Sequence, residues 1–546
     1  MALSHVVGPI DTPLYAGTIG DALHRAAKLW PDAGALVSCH QDLRLNFTEL
    51  LEQSQSLGLG LLALGLRPGD RVGIWAPNCA EWTITQFGTA LAGLVLVNIN
   101  PDYRPRELEY ALNKVGCSAL ILANKTEHAD YAGMAKALKE SGKAPNLKTL
   151  IQIGEIEQAG FHQFDQIVQT GRTQDAAQLK QIQATLNADD AINIQFTSGT
   201  TGAPKGATLT HKNILNNALF TGEAQNFGPE DKVCIPVPLY HCFGMVMGSL
   251  ACCLHGATAI YASEKFDSDA VLKTLEQERC TAVYGVPTMF IAMLNHPNFN
   301  SFDLSSLRTG VMAGSPCPIE VMKSVIADMN MGEVTIGYGM TETSPISFQT
   351  AKDDPLDKRV STVGRVHPHV EVKIIDEQGK TVERGVKGEL CTRGYSVMKG
   401  YWEDEEKTNA AIDNDNWMHT GDLALIDDEG YCDIVGRVKD MLIRGGENIF
   451  PREIEDFLFT HPKIVEAQVF GVPDVKYGET VCAWIRQTPD ADLTTADVKE
   501  FCKGEIAYFK VPDHIRFVDE FPLTVTGKIK KNVMRDMMQK ELGSKP

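Results

Sequence analysis

The sequence predicts an α/β protein: a large multi-sheet N-terminal domain, then a small α+β C-terminal domain. Three observations predict it. Helix-like and strand-like periodicities alternate from Ile19 to Ala123, the pattern of a largely parallel sheet. A more β-like, glycine-rich block follows from Ser361 to Val435. The residues after Gly436-Arg437 are charged, with short strands and helices mixed. The predicted boundary divides the chain into 1–437 and 438–546.

The elements can be justified in order. Ile19 to Trp30 is an amphipathic helix, and Ala35–Ser38 with Leu43–Phe47 reads as a hairpin. Thr48 then caps a helix running to about Leu64. Gly58-Leu-Gly60 lies inside that helix with no strand before it, so it is not a dinucleotide fingerprint. Arg67-Pro-Gly-Asp70 turns into the strand Arg71–Trp75. Helices at 81–92 and 105–115 then alternate with strands at 95–98 and 119–123. Gln166 to Asp190 is polar and glutamine-rich, which predicts a surface helix and connector.

Next comes the most informative stretch, Phe196-Thr-Ser-Gly-Thr-Thr-Gly-Ala-Pro-Lys-Gly206. Ala191–Phe196 alternates like a strand, and Thr210–Ala218 reads as the first turns of a helix. Gly199 and Gly202 allow the backbone to turn several N–H groups towards one anion. Thr197, Ser198, Thr200 and Thr201 add neutral donors, Ala203 and Pro204 shape the exit, and Lys205 adds a compact positive charge. The spacing is not the common nucleotide loop, because the fifth residue after Gly199 is Pro204. The ligand these residues suit is a polyphosphate.

Composition narrows the partners. The chain has 546 residues, 43% hydrophobic, enough for three or four domain-sized units with full cores. A net charge of −19 argues against a nucleic-acid surface and against electrostatic membrane binding. Thirteen cysteines show no C-x-x-C pair, which points to a reducing compartment. No basic-then-apolar leader and no Arg/Ser-rich transit segment is visible, so the expected location is cytoplasmic. The mitochondrial matrix is the alternative if a transit peptide is missing. The apolar window Met247–Ala262 is broken by His255 and Gly256 and is too short for a membrane span. A homo-oligomer is compatible with all of this.

Further stretches carry chemistry. His241, in Pro238-Leu-Tyr-His-Cys-Phe-Gly244, follows a strand at Val233–Val237 and can orient a substrate carboxylate, or else be a core histidine. Gly310–Pro316 and Thr335–Thr343 each read as a strand entering a loop, where open α/β sheets bind ligands. Tyr338 offers a flat face to a nucleobase, Thr341 a donor to phosphate, and Glu342 a carboxylate for Mg²⁺. Asp422, on a tight turn in Trp417–Ala424, can accept both ribose hydroxyls, and Arg437 can pair with it. Met441–Pro451 is glycine-rich and precedes a helix at 452–459. Lys528 follows a turn, with Lys530 and Lys531 behind it. His367-Pro-His369 reads as a loop rather than a metal site.

Taken together, and in this order along the chain, these stretches resemble the adenylate-forming (AMP-binding) superfamily. The resemblance rests on Thr197–Gly206, Tyr240-His241, Tyr338–Glu342, Gly388-Glu389-Leu390, Thr420–Asp422, Gly436–Asp440 and Thr526–Lys528. Within it, the chain most resembles acyl-CoA synthetase family member 2 and bacterial fatty-acyl-CoA synthetases. The resemblance implies ATP, Mg²⁺ and coenzyme A as co-substrates and cofactor, and a fatty acid joined to coenzyme A through an acyl-adenylate. It assigns the loop 197–206 to the β- and γ-phosphates and Glu342 to Mg²⁺. Tyr338, Gly339 and Gly314-Ser315-Pro316 border adenine, while Asp422 and Arg437 hold ribose. Thr341 belongs to the same motif, His241 lines the acyl site, Lys528 acts during adenylation, and Gly445-Gly446 wall the pantetheine tunnel. It also implies that the small C-terminal domain is mobile, with a hinge at Lys439. Ile336 stands where many relatives carry Asn or Gln facing adenine. Gly339 stands where acetate-specific relatives carry Trp, which implies room for a longer acid. Alternatives are a different acyl acceptor, a short-chain or other carboxylate, or a nucleotide-binding protein without activity; intact Lys205, Glu342 and Lys528 argue against the last.

Overall fold

The computed structural model describes all residues except 1, 125–128, 155–158, 198–203, 438, 445–446, 490, 525–528 and 544–546. Two large sheets form the body of the N-terminal part. One has nine strands, and its centre is parallel: Glu333–Gly339, Thr309–Ala313, Ala282–Gly285, Lys232–Cys234, Thr258–Tyr261 and Gly34–Ser38 lie side by side. The other has eight, with Ala191–Thr197, Val95–Asn98, Arg71–Trp75, Ala119–Leu122 and Thr149–Gln152 parallel at its centre. Most of these central strands are apolar and buried on both faces, as parallel sheets require. A third, antiparallel sheet of five strands includes the N-terminal His5–Val7 together with Val370–Ile375, Gly388–Gly394, Met418–Ile426 and Cys432–Arg437.

Helices of the large part pack on one another through glycine contacts. Phe47–Ala63 is capped by Asn46, not Thr48: the Asn46 side chain accepts from Glu49 N, and Glu49 reaches back to Asn46 N. Gly58 and Gly60 sit where this helix meets its neighbours. A Cβ on Gly60 would lie 2.2 Å from the Ile167 carbonyl oxygen, and one on Gly171 would lie 1.7 Å from that of Ser56. The Gly-x-Gly pair is thus a helix-crossing device. The polar 166–190 stretch forms two helices, Phe164–Arg172 and Ala177–Gln183. The first is not a surface connector, because Ile167, Val168 and Gly171 are buried against the Phe47–Ala63 helix.

The small C-terminal part has its own sheet: Glu447–Ile449, Leu442–Arg444, Gly478–Gln487 and Ile464–Asp474, with His514–Phe517 parallel to the long hairpin. Pro451–Phe459, Thr495–Cys502 and Lys531–Glu541 flank it. Its buried apolar residues fall into two clusters, around Leu442–Ile485 and around Phe470–Trp484–Met534. Among the described residues neither cluster includes one from before Leu442. Contacts with the larger part are polar or peripheral, such as Arg452 Nη1 donating to the Ile434 carbonyl at 2.6 Å. All thirteen cysteines are free thiols, twelve of them buried. Among the described residues no helix is long and apolar enough to cross a membrane.

The helix crossing supplies a stability test. Gly171→Ala places a methyl onto backbone that cannot swing aside, and overpacking of this kind costs about 1–3 kcal/mol. The urea midpoint of the large domain is expected to fall. Gly228→Ala, with no atom within 4 Å of the added methyl, is the control expected to change little.

Candidate active site

Two clusters gather at the carboxyl end of the strand Glu333–Gly339. The first is built on Tyr338. Its hydroxyl donates to Asp422 Oδ2 at 2.6 Å, and Arg437 Nε donates to Asp422 Oδ1 at 3.0 Å. Asp422 and Arg437 are direct cross-strand partners. Asp422 therefore lies within the strand Met418–Ile426 rather than on a separate tight turn. Gly421 supplies the local irregularity, with φ +70, and Thr420 Oγ1 accepts from Asp422 N at 3.1 Å. Burial first, then the Asp422 carboxylate, pushes the Tyr338 phenol well above its ordinary range. The Asp422 charge, partly offset by burial, raises Arg437, so the guanidinium stays charged. Gly314, with φ +90, follows the neighbouring strand directly, and Ala313 pairs with Gly337. Gly314 thus leaves its strand next to the point where Tyr338 follows Gly337. Ile336 is 5% exposed and packs in the core of the nine-stranded sheet.

The second cluster surrounds Glu342, in the short 3₁₀ turn Thr341–Thr343. Glu342 Oε1 accepts from Thr197 Oγ1 at 3.2 Å and from Tyr401 OH at 2.9 Å. Lys205 Nζ lies 4.7 Å from the centroid of the Tyr401 ring. The glycine-rich loop joins two antiparallel strands, Ala191–Thr197 and Lys205–Thr210. This corrects the strand-to-helix placement: Lys205 opens a strand, and the helix His211–Ala224 begins only after it, capped by Thr210. Thr341 and Glu342 are both buried. Residues 198–203, which include Ser198, Gly199, Thr200, Thr201, Gly202 and Ala203, lie outside the described residues, as do Gly445, Gly446 and Lys528. Pro204 is described, and its carbonyl accepts from Tyr110 OH at 2.9 Å.

Glu342 suits Mg²⁺. It is a hard oxygen donor, 6% exposed, and one of its two oxygens is already oriented by two hydroxyls. One or two such carboxylates with phosphate oxygens make the usual Mg²⁺ environment of nucleotide sites.

His241 follows a strand shorter than expected, Lys232–Cys234. Its Nδ1 accepts from Phe243 N at 3.3 Å, which leaves the proton of a neutral ring on Nε2. A buried polar chain anchors the loop: Asn98 Nδ2 donates to the Tyr240 carbonyl, and Cys242 Sγ to Gln195 Oε1 at 3.0 Å. A cavity of about 500 Å³ opens beside it. Pro238, Tyr240, Phe266 and Met289 wall it from the large part, Phe521 and Thr524 from the small one. The chain just ahead of Lys528 therefore faces the same cavity as the residue ahead of His241.

Three readings are corrected or completed here. Gly339 does not open a pocket: a Cβ there would lie 1.7 Å from the Pro345 carbonyl oxygen, so the glycine serves close backbone packing and the argument from acyl depth fails. His367 is buried, its pKa lowered by burial to about 3, and it bonds Gln349; His369 Nε2 bonds the Thr12 carbonyl at 2.6 Å. Both are structural. Tyr401 was not singled out in the sequence, because an aromatic after a glycine reveals nothing until its partner Glu342 is placed.

The model of the AMP-binding enzyme family matches residues 23–402, and that of the AMP-binding enzyme C-terminal domain matches 453–528. A zebrafish (Danio rerio) protein named medium-chain acyl-CoA ligase ACSF2, mitochondrial, is 46% identical, covering 100% of this chain and 92% of its own. YngI of Bacillus subtilis, placed by its name among acyl-CoA synthetases, is 46% identical over 96% of this chain and 97% of its own. The crystal structure of the anthranilate CoA ligase AuaEII with anthranoyl-AMP superposes with a TM-score of 0.88 at 28% identity, covering 98% of this chain and 99% of that one.

Asp422→Asn keeps the shape of the first cluster and removes its charge. Hydrogen bonds to charged groups contribute about 1.5–3 kcal/mol, so ATP affinity is expected to fall about ten- to hundredfold. Calorimetric titration with ATP checks this, with a thermal melt to verify folding; unchanged affinity would remove Asp422 from the nucleotide site.

Proposed function

The chain belongs to the AMP-binding enzyme family, and from that premise we propose that it is an AMP-forming acid–thiol ligase acting on a medium- to long-chain fatty acid. The observation that carries the reading is the pair of clusters on one strand end. Tyr338 with Asp422 and Arg437 offers a nucleoside cradle, and Glu342 with Thr197, Tyr401 and Lys205 offers a phosphate end, only four residues along the chain. The names of the relatives support coenzyme A as acceptor and a medium chain as acyl group.

In this reading a carboxylate oxygen attacks the α-phosphorus of ATP, and pyrophosphate leaves. The coenzyme A thiol then attacks the acyl carbon, loses its proton, and releases AMP. No protein nucleophile is required; the residues position reactants and neutralise charge. Asp422 accepts the ribose hydroxyls, and Arg437 holds Asp422. Lys205 and Thr197 face the outer phosphates. Glu342 would hold Mg²⁺, which when bound supplies neutralising charge to the phosphates. His241, with its proton on Nε2, lines the acyl side. Lys528 bridges the carboxylate and the α-phosphate; the position of Thr524 on the cavity beside Tyr240 supports this arrangement.

The test is pyrophosphate release from ATP, with acids from acetate to palmitate, with and without coenzyme A. Acid-dependent release and coenzyme A thioester formation are expected. Adenylation with no thioester would favour another acceptor, and no release at all would refute the reading. Lys528→Ala is expected to slow adenylation by about 10²–10³ while supplied acyl-AMP still reacts with coenzyme A. An equal loss in both half-reactions would remove that role.

We further propose that the boundary lies at 437/438 and that Gly436–Asp440, centred on Lys439, is the hinge. Lys528 and the Gly445-Gly446 loop belong to one small domain and serve different half-reactions, so the domain must turn between them. The separate cores of the small domain support this. Proline fixes φ near about −65° and removes the N–H. Lys439→Pro is therefore expected to retain single-turnover pyrophosphate release and to lose thioester formation by orders of magnitude. Wild-type rates in both steps would place the hinge elsewhere.

A further inference from the structure

We propose that Glu389, Cys391 and His419, on two adjacent strands of the five-stranded sheet, form a binding site for a divalent transition-metal ion of Zn²⁺ type. Cys391 and His419 are direct cross-strand partners, and Glu389 lies two residues before Cys391 on the same face. Their donor atoms all lie within 4.8 Å of one another. Cys391 Sγ is 3.6 Å from His419 Nδ1, and Glu389 Oε2 is 3.1 Å from the same nitrogen. Zn–S near about 2.3 Å with Zn–N and Zn–O near about 2.0–2.1 Å gives tetrahedral edges of about 3.6 Å for S–N and about 3.3 Å for N–O. The observed spacings are close to those edges. Nδ1 thus lies within reach of both the carboxylate and the sulfur, and a metal between the three would meet all of them at once.

The outer contacts fit as well. Ligating histidines usually give their second nitrogen to a carboxylate, and ligating carboxylates are themselves hydrogen-bonded. His419 Nε2 faces Asp413 Oδ2 at 3.7 Å, and Glu389 Oε1 accepts from Gly421 N at 3.3 Å. Lys373, the neighbour of Cys391 on the other side, has its ammonium 4.3 Å from the centroid of the Trp417 ring. His419 and Glu389 are each about one-third exposed, at 32% and 28%, so an ion has a way in and a fourth position open to water. A thiolate, an imidazole and a carboxylate together suit Zn²⁺ or Co²⁺ and disfavour Mg²⁺ and Ca²⁺. Because Gly421 precedes Asp422, an ion here would sit next to the strand that carries the proposed ribose contact.

Co²⁺ is the probe, added to the full-length, chelator-treated protein. One equivalent is expected to give the intense visible bands of a tetrahedral site and a near-ultraviolet thiolate-to-cobalt charge-transfer band, both displaced by Zn²⁺. Cys391→Ser is expected to abolish the charge-transfer band, and Cys39→Ser, at the half-buried cysteine elsewhere, to leave it intact. Asp413→Asn is expected to weaken Co²⁺ about ten- to hundredfold. Glu389→Gln, which still accepts from Gly421, covers the case in which Cys391→Ser fails to fold, and it is expected to reduce affinity by at least as much. No tetrahedral spectrum in the folded wild type, or the same charge-transfer band in folded Cys391→Ser, would overturn the site.

Discussion

The carboxylate of Asp422 is the joint on which the site depends. It takes a hydroxyl from Tyr338, which belongs to the nine-stranded sheet, and a guanidinium from Arg437, which ends the five-stranded one. One side chain thus ties two sheets together at the point where the chain leaves for the small domain. An unpaired carboxylate at 6% exposure would be costly. Both partners must be in place for the charge to be tolerated there, and the pairing leaves an anion aligned beside the Tyr338 ring. The phosphate end repeats the logic with Glu342, oriented by Thr197 and Tyr401 and facing a region served by Lys205. In a chain with net charge −19, attraction for a polyanion has to come from where individual cations such as Lys205 are placed, not from the overall field.

Much of the architecture was legible because it rests on periodicity and on local chemistry. The helix Ile19–Leu29, the hairpin at 34–46 and the strands from Arg71 to Leu122 follow from apolar spacing alone. Tyr338, Asp422 and Arg437, and likewise Thr197 and Glu342, were singled out in the sequence by residue type and order, and each set lies in mutual contact. What escaped depends on partners far away in sequence. Asn46 rather than Thr48 caps its helix because the capping box needs Glu49 three residues on. The helix Phe164–Arg172 looks polar, yet it buries one face against Gly60. Lys205 begins a strand because Gly206 pairs with Phe196, a register no local signal states. Gly339 was read as space for a ligand and is instead space for the Pro345 backbone. A glycine in a sequence indicates that a side chain is missing, not which neighbour uses the room.

The His241 loop shows how a flexible-looking segment is fixed from below. Asn98, Asn193 and Gln195 lie on two adjacent strands of the eight-stranded sheet and bond one another, the Tyr240 carbonyl and Cys242. Such a buried network is expensive unless satisfied. Once satisfied, it holds the loop across the gap between the two large sheets, which explains polar residues on strands that otherwise read as core.

The separation of the hydrophobic clusters has a consequence for how such a chain changes over generations. The small domain's buried clusters contain none of the large domain's described residues, and the two parts meet through contacts such as Arg452 with the Ile434 carbonyl. A substitution that reshapes the large domain's interior therefore imposes no repacking on the small one, and the reverse holds too. Mutations in the two parts are nearly independent in their effect on stability. Each interior is therefore open to substitution on its own terms, and one scaffold can absorb change in the large part without rebuilding the small one.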